Sequence, residues 1–132
     1  MTYVQTAERA KRSYQSSQVQ AEDAVGLIVR LYDGMIGYLR LAAEMFDARR
    51  FSAAADPIRR AADIVGELQA VLDLEQGADV AFNLDRLYTY ARRRIMESHL
   101  QSNPAGLREV ADLLEPLRDA WNEAQQRQAG QL

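Results

Sequence analysis

The chain has 132 residues and no cysteine, and its sixteen basic and nineteen acidic side chains give a formal charge of −3. This length suits one domain, the lack of thiols excludes disulfide bonds and cysteine nucleophiles, and the acidic balance argues against a nucleic-acid partner. Residues 1–20 lack the apolar stretch of a signal peptide and no segment reaches the roughly 18 apolar residues of a membrane span, so we expect a cytoplasmic protein (cytosol) without membrane insertion.

The first predicted helix runs from Asp23, a candidate N-cap, to Phe46. Its polar and small residues recur at alternating steps of four and three, which confines them to about 80° of the helix circumference. They are Gly26, Arg30, Asp33, Gly37, Arg40 and Glu44. The other positions are almost all apolar, and this arc is wider than the ~100° stripe that a surface helix usually buries. The excess indicates either the central helix of a core or a surface for a partner, and the pattern leaves both open.

The second and third predicted helices are separated by a break at Gly77. The second starts at Ser52 or Asp56, either of which can cap it, and ends at Asp73. Its apolar row consists of Ile58, Ala61, Val65, Leu68 and Leu72. The third spans 79–101, and its apolar side consists of Val80, Leu84, Leu87, Tyr88, Ala91 and Ile95.

The fourth predicted helix follows Asn103 and Pro104, a cap and first-turn pair, and Pro116 predicts a local bend near 112–116. Its apolar row consists of Leu107, Val110, Leu114, Leu117, Trp121 and Ala124. Four amphipathic helices with short connections predict an all-α fold, an antiparallel up-and-down four-helix bundle. We expect the bundle to occupy 19–124, between a flexible N-terminal segment at 1–18 and a frayed tail at 125–132.

Residues for catalysis or metal binding are missing from the pattern. A di-iron bundle needs Glu-x-x-His on two helices, whereas His99 is the only histidine and Met96 stands three residues before it. A phosphorelay histidine is a weak alternative for His99, which is better explained as a helix-end residue. The arginines at 92–94 point in three directions, so they form no single patch. We therefore expect no enzyme activity, no cofactor and no metal.

An ordered series of short motifs runs through residues 14–124. It begins with Tyr14, Val19, Leu27-Ile28 and Leu31-Tyr32-Asp33-Gly34, and it continues with Leu72-Asp73, Glu75-Gln76-Gly77, Asn83-Leu84, Leu87-Tyr88, Glu109-Val110 and Ala120-Trp121. The series resembles the FliS family of flagellar secretion chaperones. Where that family usually has a proline-containing start of the first long helix, this chain has Ala21-Glu22-Asp23-Ala24, and the family's double glycine is here Gly77-Ala78.

The resemblance implies a chaperone that holds flagellin by its disordered C-terminal segment, prevents premature polymerisation and assists flagellar type III secretion. For the flagellin groove, the candidates are Ile28, Leu31, Tyr32 and Met35, with Tyr88 weaker. The resemblance also implies that the N-terminal segment, with Tyr14 and Val19, caps the empty groove, and that Tyr14 docks at the export gate. The alternative is a helical interaction module that forms a homodimer and has no flagellin client.

Overall fold

The computed structural model describes residues 21–130, which form four α-helices. They are α1 (Ala21–Asp47), α2 (Ala55–Ala70), α3 (Leu74–Leu100) and α4 (Pro104–Gly130). Each helix packs on the next in sequence, and α4 returns to pack along α1, which is the most extensive helix pair. The predicted all-α four-helix bundle is confirmed, and no strand occurs within 21–130.

The core lies between the four apolar faces that the periodicity predicted. Its largest fully buried side chains come from every helix: Trp121, Tyr32, Tyr88, Met35, Leu39, Leu68, Ile95, Leu107 and Leu114. Because α1 contributes residues along most of its length, it is the central helix of the bundle by burial. Part of its wide apolar arc is therefore explained as core.

The helix ends agree with the sequence in part. The Asn103 side chain accepts a hydrogen bond from the Gly106 N–H at 3.3 Å, so the predicted cap of α4 is confirmed. The predicted caps of α2 were wrong, because Ala54 occupies the cap position and no side chain bonds there. Asp56 lies in the first turn instead, where its carboxylate accepts hydrogen bonds from Arg59 and Arg60 at 2.8 and 2.9 Å. Consecutive backbone turns over 51–54 lead into the helix in place of a cap.

Pro116 does not interrupt α4, which is continuous through it and remains helical as far as Gly130, past the predicted bundle boundary at 124. The bend near 112–116 stays a prediction. The first helix starts earlier than predicted, because α1 is already helical at Ala21, before the predicted cap at Asp23. Differences of one or two residues at helix ends are usual, because terminal turns fray.

The connection between α2 and α3 is at 71–73, and α3 begins at Leu74, before the predicted start at 79. The break predicted at Gly77 is present as a kink inside α3, at the next residue. Ala78 has φ 47° and ψ −128°, while the residues on both sides are helical. This backbone conformation suits glycine, because a Cβ crowds the neighbouring backbone when φ is positive. Ala78, which stands where the FliS family has the second of two glycines, is therefore in a strained backbone conformation.

We expect Ala78→Gly to raise the free energy of unfolding by about 1 kcal/mol. Relief of backbone strain is worth roughly 1–3 kcal/mol, and the extra freedom of glycine in the unfolded chain offsets about 0.5–1 kcal/mol of it. Urea denaturation checks this, with an unchanged dependence on urea concentration. As the matched control, Ala105→Gly changes an exposed alanine in the first turn of α4 and should lower stability slightly, by up to about 0.5 kcal/mol. A loss of stability in both variants would contradict the strain at Ala78.

Candidate functional site

The polar row of α1 faces the border with α4. At three positions of α1 spaced seven residues apart, a charged side chain meets an opposite charge on α4. The pairs are Asp33 with Arg118, Arg40 with Glu115, and Asp47 with Arg108. The α1 numbers rise as the α4 numbers fall, which gives the antiparallel register. Exposed pairs of this kind contribute only about 0–1 kcal/mol each, so their main effect is to fix which side of α1 faces α4.

A buried polar cluster joins three helices in the core. The hydroxyl groups of Tyr32 on α1 and Tyr88 on α3 are hydrogen-bonded at 2.7 Å, and the indole N–H of Trp121 on α4 donates to Tyr32. Burial raises the pKa of Tyr32 to about 12, although the hydrogen bonds with Tyr88 and Trp121 act in the opposite direction. The hydroxyl therefore stays protonated at neutral pH, and the cluster acts as a structural link between α1, α3 and α4.

The structure places most of the sequence-predicted groove residues in the core. Tyr32, Met35 and Tyr88 have no exposed surface, and Ile28 is 3% exposed. Their surfaces are covered by the other helices, so in this arrangement they supply packing and offer almost no area to a partner. Leu31 differs from them, because it packs against the core but remains partly exposed. Tyr14 and Val19 lie outside residues 21–130.

A second row of α1 lies between core and solvent. It follows steps of four and three, and we call it the α1 strip: Leu27, Leu31, Gly34, Tyr38, Leu41 and Met45. Leu41 is 42% exposed and the other members are half-buried. At 1.5 Å per residue, the strip is about 27 Å long. The wide apolar arc of α1 is thus divided into a core side and a half-exposed side.

Helix α2 borders the α1 strip. A Cβ built on Gly34 would lie 3.3 Å from the Cδ1 of Ile64, and the Arg60 guanidinium lies 5.9 Å from the centre of the Tyr38 ring. Arg60 is held by Asp56, and the hydrogen bond between them raises the pKa of the guanidinium. On its α2 side the strip is therefore bordered by an apolar side chain and by a guanidinium that is already paired, which suits an apolar or amphipathic segment.

Sequence reasoning identified one residue of the α1 strip as a groove candidate, Leu31. The signal for the others was present, since Leu27, Tyr38, Leu41 and Met45 continue the heptad spacing from Leu31 in both directions. What the sequence lacked was the position of α4. Once ion pairs fix α4 against the polar row, the strip is the apolar side of α1 left nearest to solvent.

Other site chemistries have little support in the part of the chain that the structure covers. Among residues 21–130, no group of three or more histidine, aspartate or glutamate side chains is placed to hold a metal ion. None of the four helices combines the length and apolar character that crossing a membrane requires. His99 is exposed in the last turn of α3.

Comparison with known proteins gives consistent matches along the chain. The sequence model of the family described as "Flagellar protein FliS" matches residues 6–128. The flagellar secretion chaperone FliS of Salmonella typhimurium is 32% identical over 114 residues, 81% of this chain and 84% of that protein. The flagellar secretion chaperone FliSB of Pseudomonas aeruginosa is 30% identical over 120 residues, 88% and 95% of the two chains. FliS of Bacillus subtilis is 25% identical over 112 residues, 85% and 83%.

Proposed function

The chain belongs to the FliS family of flagellar secretion chaperones, and from this premise we propose that it binds the disordered C-terminal segment of flagellin in the cytoplasm. The family is one of chaperones and not of enzymes. In the proposed function, the bound segment is unable to polymerise before flagellar type III secretion, and the complex is the form presented for export.

The α1 strip is the observation that supports this proposal. A disordered segment that folds on binding loses several kcal/mol to ordering, so its receptor has to offer a long apolar surface. The strip provides about 27 Å of such surface, enough for a client helix of roughly 18 residues. Its leucine, tyrosine and methionine side chains can adapt to apolar client residues at helical spacing. Leu31 is the candidate retained from the sequence, and Leu41 is the most exposed member.

The distribution of charged groups on α1 supports a mainly apolar contact between the α1 strip and the client. Asp33 and Arg40 of the α1 polar row, and Asp47 in the last turn of α1, form ion pairs with α4, away from the strip. Affinity for the client should therefore change only modestly when salt is raised, since screening acts on charges and leaves apolar burial largely intact. A steep loss of affinity with salt would point to the arginines of the chain.

The functional experiment is seeded polymerisation of flagellin, followed by light scattering. We expect an equimolar amount of this protein to suppress filament growth, because the C-terminal segment is then sequestered. The matched control is flagellin without its C-terminal segment in a pull-down, which the protein should not retain. Unchanged filament growth at a threefold excess of folded protein would contradict the proposal.

The N-terminal segment carries a second part of the proposal. The N-terminal segment through Tyr14 and Val19 is proposed to cover the α1 strip until the client arrives, and Tyr14 to contact the export gate. Deletion of 1–18 should then change both client affinity and secretion. If neither changes, the segment has no such role.

A further inference from the structure

The outer face of α3 carries a row of exposed side chains that the client proposal does not use. The three most exposed large apolar side chains of the described residues are all on it: Leu100 at 82%, Met96 at 66% and Phe82 at 53%. They belong to one row with alternating steps of four and three, which we call the α3 row: Phe82, Arg86, Thr89, Arg93, Met96 and Leu100. All six members are exposed. The row is about 27 Å long and, at this spacing, covers roughly 80° of the helix.

The charges of the α3 row are of one sign. It contains two arginines and no carboxylate, although the whole chain is acidic. Within residues 21–130, Arg86 makes no ion pair or hydrogen bond, while the Arg93 guanidinium lies 5.5 Å from the centre of the Tyr90 ring and 3.7 Å from a Glu97 carboxylate oxygen. The two arginines are seven residues apart, so their Cα atoms are separated by about 10.5 Å along the helix. Carboxylates at i and i+7 of a facing helix have the same separation.

A hollow runs beside the C-terminal half of the row. It has a volume of about 430 Å³, and its walls are Gln69 of α2 together with Thr89, Arg92, Arg93, Met96, Glu97 and Leu100 of α3. The Gln69 amide donates to the Thr89 hydroxyl at 2.8 Å and accepts from Arg92 at 3.3 Å, so this wall is held in place. The hollow can receive an apolar side chain next to the Met96 and Leu100 side chains.

We propose that the α3 row is a docking surface for an acidic amphipathic helix of a second protein partner, separate from the client surface. In this arrangement two carboxylates of the partner helix, seven residues apart, pair with Arg86 and Arg93. Its apolar residues contact Phe82 at one end and Met96 and Leu100 at the other. The combination of apolar ends and a basic centre is what selects an acidic helix.

Two other occupants of the α3 row, a second copy of this chain and the chain's own N-terminal residues, fit its charges poorly. Two copies of α3 packed antiparallel through this row would bring Arg86 of one copy near Arg93 of the other, which like-charge repulsion opposes. The chain's own residues 1–20 carry Arg9, Lys11 and Arg12 against the single acidic residue Glu8, so this segment is also basic. A partner with carboxylates is the complementary choice.

The position of α3 allows a partner and a client at the same time. Helices α1 and α3 both pack chiefly on α2 and α4, so they are diagonal to each other in the bundle. The α1 strip and the α3 row therefore face different directions, with α2 between them on one side. The inference does not depend on the flagellin proposal.

The test uses the full chain and two designed helical peptides of 21 residues. Both carry leucine at positions facing Phe82, Met96 and Leu100, and they differ only at two positions seven residues apart, which are glutamate in one peptide and lysine in the other. Fluorescence anisotropy should show at least about tenfold tighter binding of the glutamate peptide. The double variant Arg86→Glu/Arg93→Glu should reverse this preference, whereas Arg30→Glu/Arg50→Glu, with the same change in net charge, should preserve it.

The apolar contacts of the α3 row are tested by Met96→Ser/Leu100→Ser, which should weaken binding of the glutamate peptide at least about tenfold. Leu113→Ser, at a leucine of α4 that is 43% exposed, is its control and should have no effect. These side chains are exposed, so the variants should keep the wild-type circular dichroism spectrum. Equal binding of both peptides, or binding unchanged in the α3 variants, would overturn the proposal. So would displacement of the glutamate peptide by a flagellin C-terminal peptide, or self-association with concentration that Arg86→Glu/Arg93→Glu abolishes.

Discussion

Replacing Tyr32 by alanine should lower the free energy of unfolding by about 3–5 kcal/mol, the usual range for removing a large aromatic side chain from a core. Tyr32 has no exposed surface, and its hydroxyl joins α1 to α3 through Tyr88 and to α4 through Trp121. The substitution removes both the packing and this link. Urea denaturation followed by circular dichroism measures the effect, which should also lower the thermal midpoint by about 10–20 °C.

Tyr32→Phe separates the contribution of the hydroxyl group to stability from that of the ring. It keeps most of the packing and removes the hydrogen bonds, so the expected loss is only about 1–2 kcal/mol. The variant should also change how the free energy of unfolding depends on pH above 10. Because burial raises the pKa of Tyr32 to about 12, the unfolded chain loses this proton first, and stability falls as pH rises above 10. In Tyr32→Phe this fall should be smaller. If Tyr32→Ala kept full stability and lost only client binding, the placement of Tyr32 in the core would be contradicted.

Leu41→Asp should weaken binding of the flagellin C-terminal segment by about 10–100-fold, which corresponds to roughly 1.4–2.7 kcal/mol. The substitution removes apolar area from the proposed contact and places a carboxylate under the bound client, where it loses hydration. Leu41 is the more useful position for this test than Leu31, because Leu31 also packs on the core. Fluorescence anisotropy with a labelled C-terminal peptide measures the affinity.

Leu113→Asp is the matched control. Leu113 lies on α4 and is 43% exposed, against 42% for Leu41, so the two substitutions place the same charge on similarly exposed leucines. Both variants should fold with nearly wild-type stability, and only Leu41→Asp should lose affinity. Equal losses of affinity in the two variants would mean that the client binds elsewhere or contacts the whole surface of the bundle.

The fold follows from the sequence because each helix carries its own apolar row and the connections are short. Residues such as Val65, Leu84 and Leu114 are buried where the heptad spacing predicted. Gly77 and Asn103 marked the break and the cap by local backbone chemistry. The predicted cap of α2 was wrong, although the helix begins at Ala55, one residue from Asp56. An aspartate can either cap a helix or pair with arginines in its first turn, and Asp56 pairs with Arg59 and Arg60.

The candidate site followed less well from the sequence, because the division of α1 between core and surface depends on its neighbours. Ile28 and Tyr32 belong to the same apolar arc as Leu31 and Leu41, and the pattern alone treats them alike. The ion pairs of Asp33 with Arg118 and of Asp47 with Arg108 settle the orientation of α1, and they join residues 85 and 61 positions apart. No single-helix pattern contains that information.

Calorimetric titration of the full chain with a peptide of the last forty or so residues of its own organism's flagellin tests whether the bundle binds this disordered segment as a client. We expect one-to-one binding with a negative heat-capacity change and a gain of helix in circular dichroism, because a disordered apolar segment folds onto the α1 strip. Absence of binding by a folded bundle would contradict it. If the mass of the protein then rose with its own concentration, the half-exposed side of α1 would be the interface of a homodimer.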